Sequence, residues 1–351
     1  MIQSIALLAA FLLPPAFAKE PAKYQHENYD SILPLPSKVL HQFSPATWIE
    51  NIAVRENGDL VLTQLYPSAA VLMVSRPTSL NAKVDSFELS PYVRPYVDGL
   101  LGIAEISPNV FVVVGSKFSS PGVQVNGTAE TWAINFGRMY RGSPLVKRIA
   151  KHPRMAFPNG LASLPHVKDA VLIADSALGL VWRLYVRSGK TEVAVKVPQM
   201  AVLPGSPLQI GVNGIKVIDG HLYWSNSYQG KLYRLQIDTY GNPRPGALPE
   251  LMHNEPGRFI DDFTHDERGL WGTTNSNNTA FYVASNGQSV TIAGAQDSLA
   301  VARDTACAFG RTQRDKKYLY VVTANIQDPG HEKGGKIVVI DTGAIKGPTS
   351  Y

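Results

Sequence analysis

The sequence predicts an all-β chain folded as a six-bladed β-propeller, with four antiparallel strands per blade. The first observation behind this is a short motif that opens at Trp48-Ile49-Glu50-Asn51-Ile52-Ala53-Val54 and returns five times. The returns are Leu101-Gly102-Ile103-Ala104, Asn159-Gly160-Leu161-Ala162, Asn213-Gly214-Ile215-Lys216, Asp261-Asp262-Phe263-Thr264 and Thr305-Ala306-Cys307-Ala308, at intervals of 44 to 58 residues. A loose period near fifty marks a repeat architecture. The second is that every copy is followed by a turn and a β-branched or aromatic run of strand length. The third is composition: 17% charged residues with 29 glycines and 25 prolines fits a loop-rich β protein, and segments of helical period are nearly absent.

Taken in order, Met1 to Ala18 has an apolar stretch from Ile5 to Leu13, a Pro14-Pro15 break and Ala16-Phe17-Ala18 as a small-x-small site, which reads as a signal peptide. The apolar stretch is too short to span a bilayer, and secretion or residence in the secretory pathway is expected. Two Asn-x-Thr sequons, at Asn126 and Asn277, agree with that route without establishing glycosylation. Residues 19–36 read as an irregular arm, and 37–351 as one propeller domain. The segment Lys38 to Phe43 is expected to pair with the last blade and close the ring, removing free sheet edges.

Second strands are expected at Leu60–Thr63, Val110–Val114, Val171–Asp175, Leu222–Ser225, Leu270–Thr273 and Leu319–Thr323. Third strands follow at Ala70–Val74, Thr131–Asn135, Leu180–Leu184, Lys231–Ile237, Ala280–Ala284 and Lys336–Asp341. Fourth strands are visible at Ser86–Leu89, Thr191–Val197 and Ser289–Ala293. Two connections are long enough to shape a binding site: Gly115 to Ala129, with Phe118, Pro121 and Gly122, and Pro198 to Val212, with Met200, Pro204, Pro207 and Ile210. Tyr92, Tyr96 and Trp132 either offer a ligand an apolar wall or fill space between blades.

Innermost strands line the channel of a propeller, so one residue per blade forms a ring at its mouth. Here the ring is Glu50, Leu101, Asn159, Asn213, Asp261 and Thr305, flanked by Trp48, Asn51 and Asp262. Two carboxylates and two carboxamides on one axis suit a hard divalent ion or polar capture of a ligand. Asn-Gly and Asp-Asp are equally ordinary turn chemistry. Cys307, the single cysteine, falls on an inner strand and reads as a buried thiol. Asp266 reads as a turn cap, and His265 as a core or rim histidine. A net charge of +5 with scattered Lys and Arg argues against nucleic acid as a partner. There is no Gly-rich phosphate loop, Ser elbow or His-x-x-x-His pair to indicate those enzyme classes.

At Glu50, Asn159-Gly160-Leu161, Asn213-Gly214-Ile215 and Asp261 to Gly269 the chain resembles the senescence-marker-protein and gluconolactonase family of six-bladed propellers. The resemblance implies that Glu50, Asn159, Asn213 and Asp261 surround a divalent cation, calcium or zinc, as in a metal-dependent lactonase or esterase. Two departures stand out: Glu50 is followed by Asn51-Ile52 rather than Gly-Pro, and Asn159 by Gly-Leu rather than Asp-Gly. A second likeness, in Trp48 to Arg55, Gly211 to Lys216 and Thr305 to Arg311, is to a secreted fungal branch of this superfamily similar to hetero-Diels-Alderases of meroterpenoid pathways. Those enzymes join a tropolone-derived quinone methide to a macrocyclic sesquiterpene alkene. That resemblance implies no cofactor, a small apolar or aromatic substrate, Glu50 or Asp261 as the acid, and Asn159 and Asn213 holding tropolone oxygens. A secreted binding propeller without catalysis is the third alternative.

Overall fold

The computed structural model describes residues 32–79, 82–88, 97–120, 122–326 and 332–346. The expected signal peptide, most of the arm, Tyr92, Tyr96 and Pro121 lie outside the described residues. Six four-stranded antiparallel sheets are arranged as the blades of a propeller. The inner strands are Trp48–Val54, Gly99–Ser107, Pro158–Leu164, Val212–Ile218, Phe263–Asp266 and Asp304–Phe309. Asp261 and Asp262 precede the fifth of these but continue its ladder, through Asp261 N–H to Thr273 O at 2.9 Å and Thr273 N–H to Asp262 O at 3.0 Å.

A blade interior is covered on both faces by its neighbours, so its middle strands carry nearly unbroken apolar runs rather than alternation. Val110–Ser116 and Lys336–Asp341 show this directly. Large aromatics fill the wedges between blades, with Trp224, Trp271, Tyr282 and Tyr320 almost wholly buried. Trp132 belongs to this set: it packs with Val61, Leu100 and Phe111 between blades one and two, and its role is filling space. The outermost strands face solvent and lose that apolar signal. Ser143–Lys151 and Glu250–Asn254 complete blades two and four, strands whose exposed, charged sequences give little sign of pairing.

Ser37–Gln42 pairs antiparallel with Lys336–Asp341 and becomes the outer strand of blade six, with Ser37 opposite Ile340. The ring is thus closed by the two ends of the domain. Hydroxyl groups then tie neighbouring blades by donating to carbonyls of the next inner strand. Thr63 Oγ1 reaches Leu101 O at 2.5 Å, Ser176 Oγ reaches Val212 O at 2.7 Å, and Ser225 Oγ reaches Asp261 O at 2.7 Å. Thr273 Oγ1 reaches Thr305 O at 3.1 Å, and Thr305 Oγ1 reaches back to Ile49 O at 2.8 Å, so among the described residues five of the six blade junctions carry such a tie and that between blades two and three does not.

The Asn-Gly pairs of the repeat are not turns. Gly102, Gly160 and Gly214 lie within inner strands and have no positive φ. Their lack of a side chain serves proximity: a Cβ on Gly102 would lie 2.2 Å from Asn159 O, and one on Gly160 2.5 Å from Asn213 O. Lower in the channel, Asp262 accepts from Lys216 Nζ at 2.6 Å and from Asn51 Nδ2 at 3.2 Å, joining blades five, four and one across the axis.

Two outcomes follow for stability. Gly160→Ala should cost about 1–3 kcal/mol, because backbone on two blades must separate to admit one methyl group, measurable as a lowered denaturation midpoint. Lys216→Met leaves Asp262 buried without its cation and should cost about 3–5 kcal/mol. Adding Asp262→Leu should recover much of that loss in a double-mutant cycle.

Candidate functional site

Inner strands begin, and second strands end, on the same face of the ring, and the loops on that face surround a cavity of about 300 Å³. Glu50, Leu101, Asn159, Asn213 and Asp261, all expected at the channel mouth, line it together with Trp48. Asn51, Asp262 and Thr305, expected here as substrate contacts, do not. Asn51 and Asp262 are engaged with each other and with Lys216 lower in the channel, and Thr305 gives its hydroxyl to the blade-to-blade ties. In an extended strand alternate residues share a face, so the neighbours of Glu50 and Asp261 point away from the ligand space.

The same alternation exposes a second tier that the repeat analysis missed. Two residues upstream of the ring stand Trp48, Phe157, Phe259 and Arg303, and all four line the cavity. For the three aromatics a period of two from Glu50, Asn159 and Asp261 was the available signal; Arg303, at φ +57° and two residues from a Thr305 that does not face the cavity, is not placed by alternation. Gly99 and Gly211 occupy the equivalent places in blades two and four. Leu65, Tyr228, Asn275, Ser276 and Asn325 come from the ends of second strands, where nothing in the sequence announces a ligand.

The lining is divided. Leu65, Leu101, Phe157, Leu208, Ile210 and Phe259 form an apolar side, contributed mainly by blades two to four and the loops that follow them. The expected long connections contribute here. Leu208 and Ile210 belong to the loop before blade four, whereas Met200 of that loop is core. The loop of blade two forms a small hairpin, Phe118–Ser120 with Val123–Gln124, in which Phe118 meets Phe157 edge-on at 6.5 Å and Gly122 reaches the cavity. Tyr228 and Phe259 make a second edge-on pair at 5.1 Å.

The other side is polar and tightly bonded. Trp48 Nε1–H donates to Glu50 Oε2 at 2.6 Å. Asp261 accepts from Asn213 Nδ2 on Oδ1 and from Asn275 Nδ2 on Oδ2, both at 2.7 Å, and Asn213 Nδ2 also reaches Ser227 Oγ at 3.0 Å. Burial, then the nearby Asp261 and Asp262 charges, push the Glu50 carboxyl well above its ordinary range, against the Trp48 hydrogen bond. Burial chiefly raises Asp261 to about 7, opposed by its two carboxamide donors. Neither carboxyl has an ion-pair partner among the described residues, so the cost of burial is opposed only by these hydrogen bonds.

The donor set fits a hard divalent cation in chemistry: Glu50 and Asp261 supply carboxylates that no described Lys or Arg pairs with, and Asn159 and Asn213 supply carboxamide oxygens. Among the described residues, no three His, Cys, Asp or Glu side chains form a metal-binding cluster, at this site or any other. A larger, more open groove of about 740 Å³ lies at the opposite turns of blades four and five. Its cations are already spent, Arg234 on Glu250 and Arg268 on Asp266 and Thr342. His265 sits exposed in this groove, and Asp266 caps its turn by accepting from Arg268 N–H at 3.0 Å. Cys307 is buried, its thiol donating to Trp271 O at 3.3 Å and pushed up by burial. No helix among the described residues is long and apolar enough to cross a membrane.

No family model matches the sequence. The chain is 33% identical over 321 residues to a protein of Phoma sp assigned as a hetero-Diels-Alderase, covering 85% of this chain and 89% of that one. It is 33% identical over 316 residues to asR5 of Sarocladium schorii, which carries the same assignment, covering 82% of this chain and 78% of its relative. Among solved structures, the calcium-binding protein regucalcin of Agrobacterium tumefaciens superposes with a TM-score of 0.58 at 15% identity, over 88% of this chain and 95% of that one. At that identity the last match speaks for the fold alone. With a third of its residues shared across most of both curated relatives, the chain belongs to the hetero-Diels-Alderase family, built on a six-bladed propeller.

Proposed function

We propose that this propeller is a pericyclase that joins a tropolone-type quinone methide to a sesquiterpene alkene within the mouth cavity. The observation that carries the reading is the division of that cavity into a bonded polar side around Glu50 and an apolar side around Phe157, Leu208 and Phe259. One substrate has ring oxygens to be held and the other is hydrocarbon, so a two-sided pocket orients both at once.

The first step is dehydration of a hydroxymethyl tropolone. The exocyclic C–O bond breaks, the hydroxyl leaves as water with a proton from Glu50, and the ring hydroxyl loses its own proton to become a carbonyl. Net loss is one water: the ring hydroxyl gives its proton to solvent on ionising, and Glu50 takes a proton back from solvent. Glu50 suits this role better than Asp261: Trp48 fixes Oε2 and leaves Oε1 as the donor, whereas both Asp261 oxygens are occupied by Asn213 and Asn275. Asp261 instead orients Asn213, whose Nδ2 hydrogens go to Asp261 and Ser227 and whose Oδ1 is left to accept from a ring hydroxyl, while Asn159 donates to a ring oxygen. The cycloaddition then forms one C–C and one C–O bond without moving a proton. It gains from alignment and from apolar walls that keep water off the quinone methide.

A second reading draws on the oxygen donors themselves: a lactonase or esterase in which Glu50, Asn159, Asn213 and Asp261 hold calcium or zinc. Such a metal, when bound, would supply Lewis-acid polarisation of a carbonyl and an activated water.

Incubating the purified protein with a hydroxymethyl tropolone and a macrocyclic sesquiterpene alkene should give cycloadduct faster and with higher stereoselectivity than the uncatalysed mixture. Glu50→Gln should slow it by roughly 100-fold or more with the denaturation midpoint kept. Unchanged turnover in that variant would remove Glu50 from the mechanism. Full activity after chelation agrees with the pericyclase, and lactone hydrolysis abolished by chelator and restored by calcium or zinc would favour the second reading. Ligand binding with no turnover of either substrate class would leave a binding propeller.

A further inference from the structure

Arg303 stands apart from the rest of the cavity. It is the one cationic side chain among the described residues lining a space otherwise built from carboxyls, carboxamides and apolar groups. Its guanidinium lies over the Trp48 ring at 5.8 Å, and the same indole donates its N–H to Glu50. It makes no ion pair with any described carboxylate. Glu50 and Asp261 take their hydrogen bonds from Trp48 and from Asn213 and Asn275, not from it.

The backbone is specialised to place it. Arg303 has φ +57°, a conformation uncommon outside glycine and asparagine. Asn278 Oδ1 accepts its N–H at 3.0 Å, and its carbonyl accepts Ala324 N–H at 2.8 Å. In the tier two residues upstream of the ring, where blades one, three and five carry aromatics, blade six presents this arginine to the Trp48 face.

We propose that Arg303 is an anion anchor that binds a planar, ionised oxygen ligand beside Glu50, with the guanidinium, pre-oriented by Trp48, donating to the ligand's oxyanion. A planar fork of N–H donors favours a pair of coplanar oxygens over a point charge. In a pericyclase the ligand is the ionised tropolone ring, and this identification rests on the proposed function. The anchor itself rests on the unspent cation at the cavity mouth. Holding the charged oxygen pair at Arg303 sets which edge of the ring faces Glu50 and brings the hydroxymethyl group within reach of the Glu50 Oε1 donor, at the border with the apolar side. Arg303 is thus a specificity residue for the anionic partner, and the hydrocarbon partner does not need it.

The test is calorimetric titration of the full chain with two probes, tropolone at a pH where it is ionised and 2-methoxytropone, which has the same ring and cannot ionise. Native protein should bind tropolone more tightly than the methyl ether. Arg303→Gln should weaken tropolone binding by roughly 10- to 100-fold and leave the ether unchanged, and Arg303→Lys should recover part of the loss. Arg303→Asn, suited to the positive φ, guards against a folding artefact and should behave as the Gln variant. Equal affinity of native protein for both probes, no measurable tropolone binding, or undiminished tropolone binding in the Gln and Asn variants would overturn the anchor. Selective tropolone binding that depends on Arg303, in a protein that forms no cycloadduct, would overturn the proposed reaction and keep the anchor.

Discussion

Everything in this molecule depends on how closely six inner strands can approach one axis. At Gly102 and Gly160 the backbone of one blade meets that of the next with no room for a methyl group. The ring can therefore be narrow enough for side chains from opposite blades to meet, as Asn51, Lys216 and Asp262 do. A narrow ring in turn makes the mouth small. Two carboxyls confined in a small mouth and ion-paired to no described cation lose hydration, and burial dominates the behaviour of both Glu50 and Asp261. The chemistry of the site is thus a consequence of backbone packing several residues away from it.

The polar side gains rigidity from shared bonds rather than from bulk. Asp261 is held by carboxamides from its own blade and from blade four, and Glu50 by the indole that also carries Arg303. Each functional side chain is thereby locked by another that also lines the cavity. The apolar side is built differently: Leu65 and Leu101 lie within strands and Phe157 directly precedes one, whereas Leu208, Ile210 and Gly122 come from loops. One part of the lining is fixed by hydrogen bonds and the other by packing.

Most of the architecture was legible because propeller strands obey a local rule, a β-branched run after a turn, repeated at a near-constant interval. The outer strands of blades two and four were not, because a strand that faces water on one side carries charges such as those of Lys147, Arg148 and Glu250 in place of an apolar pattern. The ring of Glu50, Asn159, Asn213 and Asp261 could be read from the repeat. Its neighbours Asn51 and Asp262 could not be correctly placed by proximity in sequence, since strand alternation turns them to the opposite face. Thr305 shares the repeat position but not the role: the final inner strand must bond back to the first, and its hydroxyl is consumed there. Arg303, Asn275 and Tyr228 lie in connections with no period, and only closure of the ring brings them together.

That closure also governs how the molecule comes into being. The strand Ser37–Gln42 has no partner until Lys336–Asp341 exists, about three hundred residues later. Blades one to five contain only local pairings and can form in sequence order, whereas the last sheet demands that the two ends of the chain find each other. Contacts of such long range slow folding, so completion of the sixth blade is the natural slow step of assembly. Until it occurs, the Lys336–Asp341 edge of that blade stays open, so protection of its backbone amides from hydrogen exchange reports the meeting of the chain's ends.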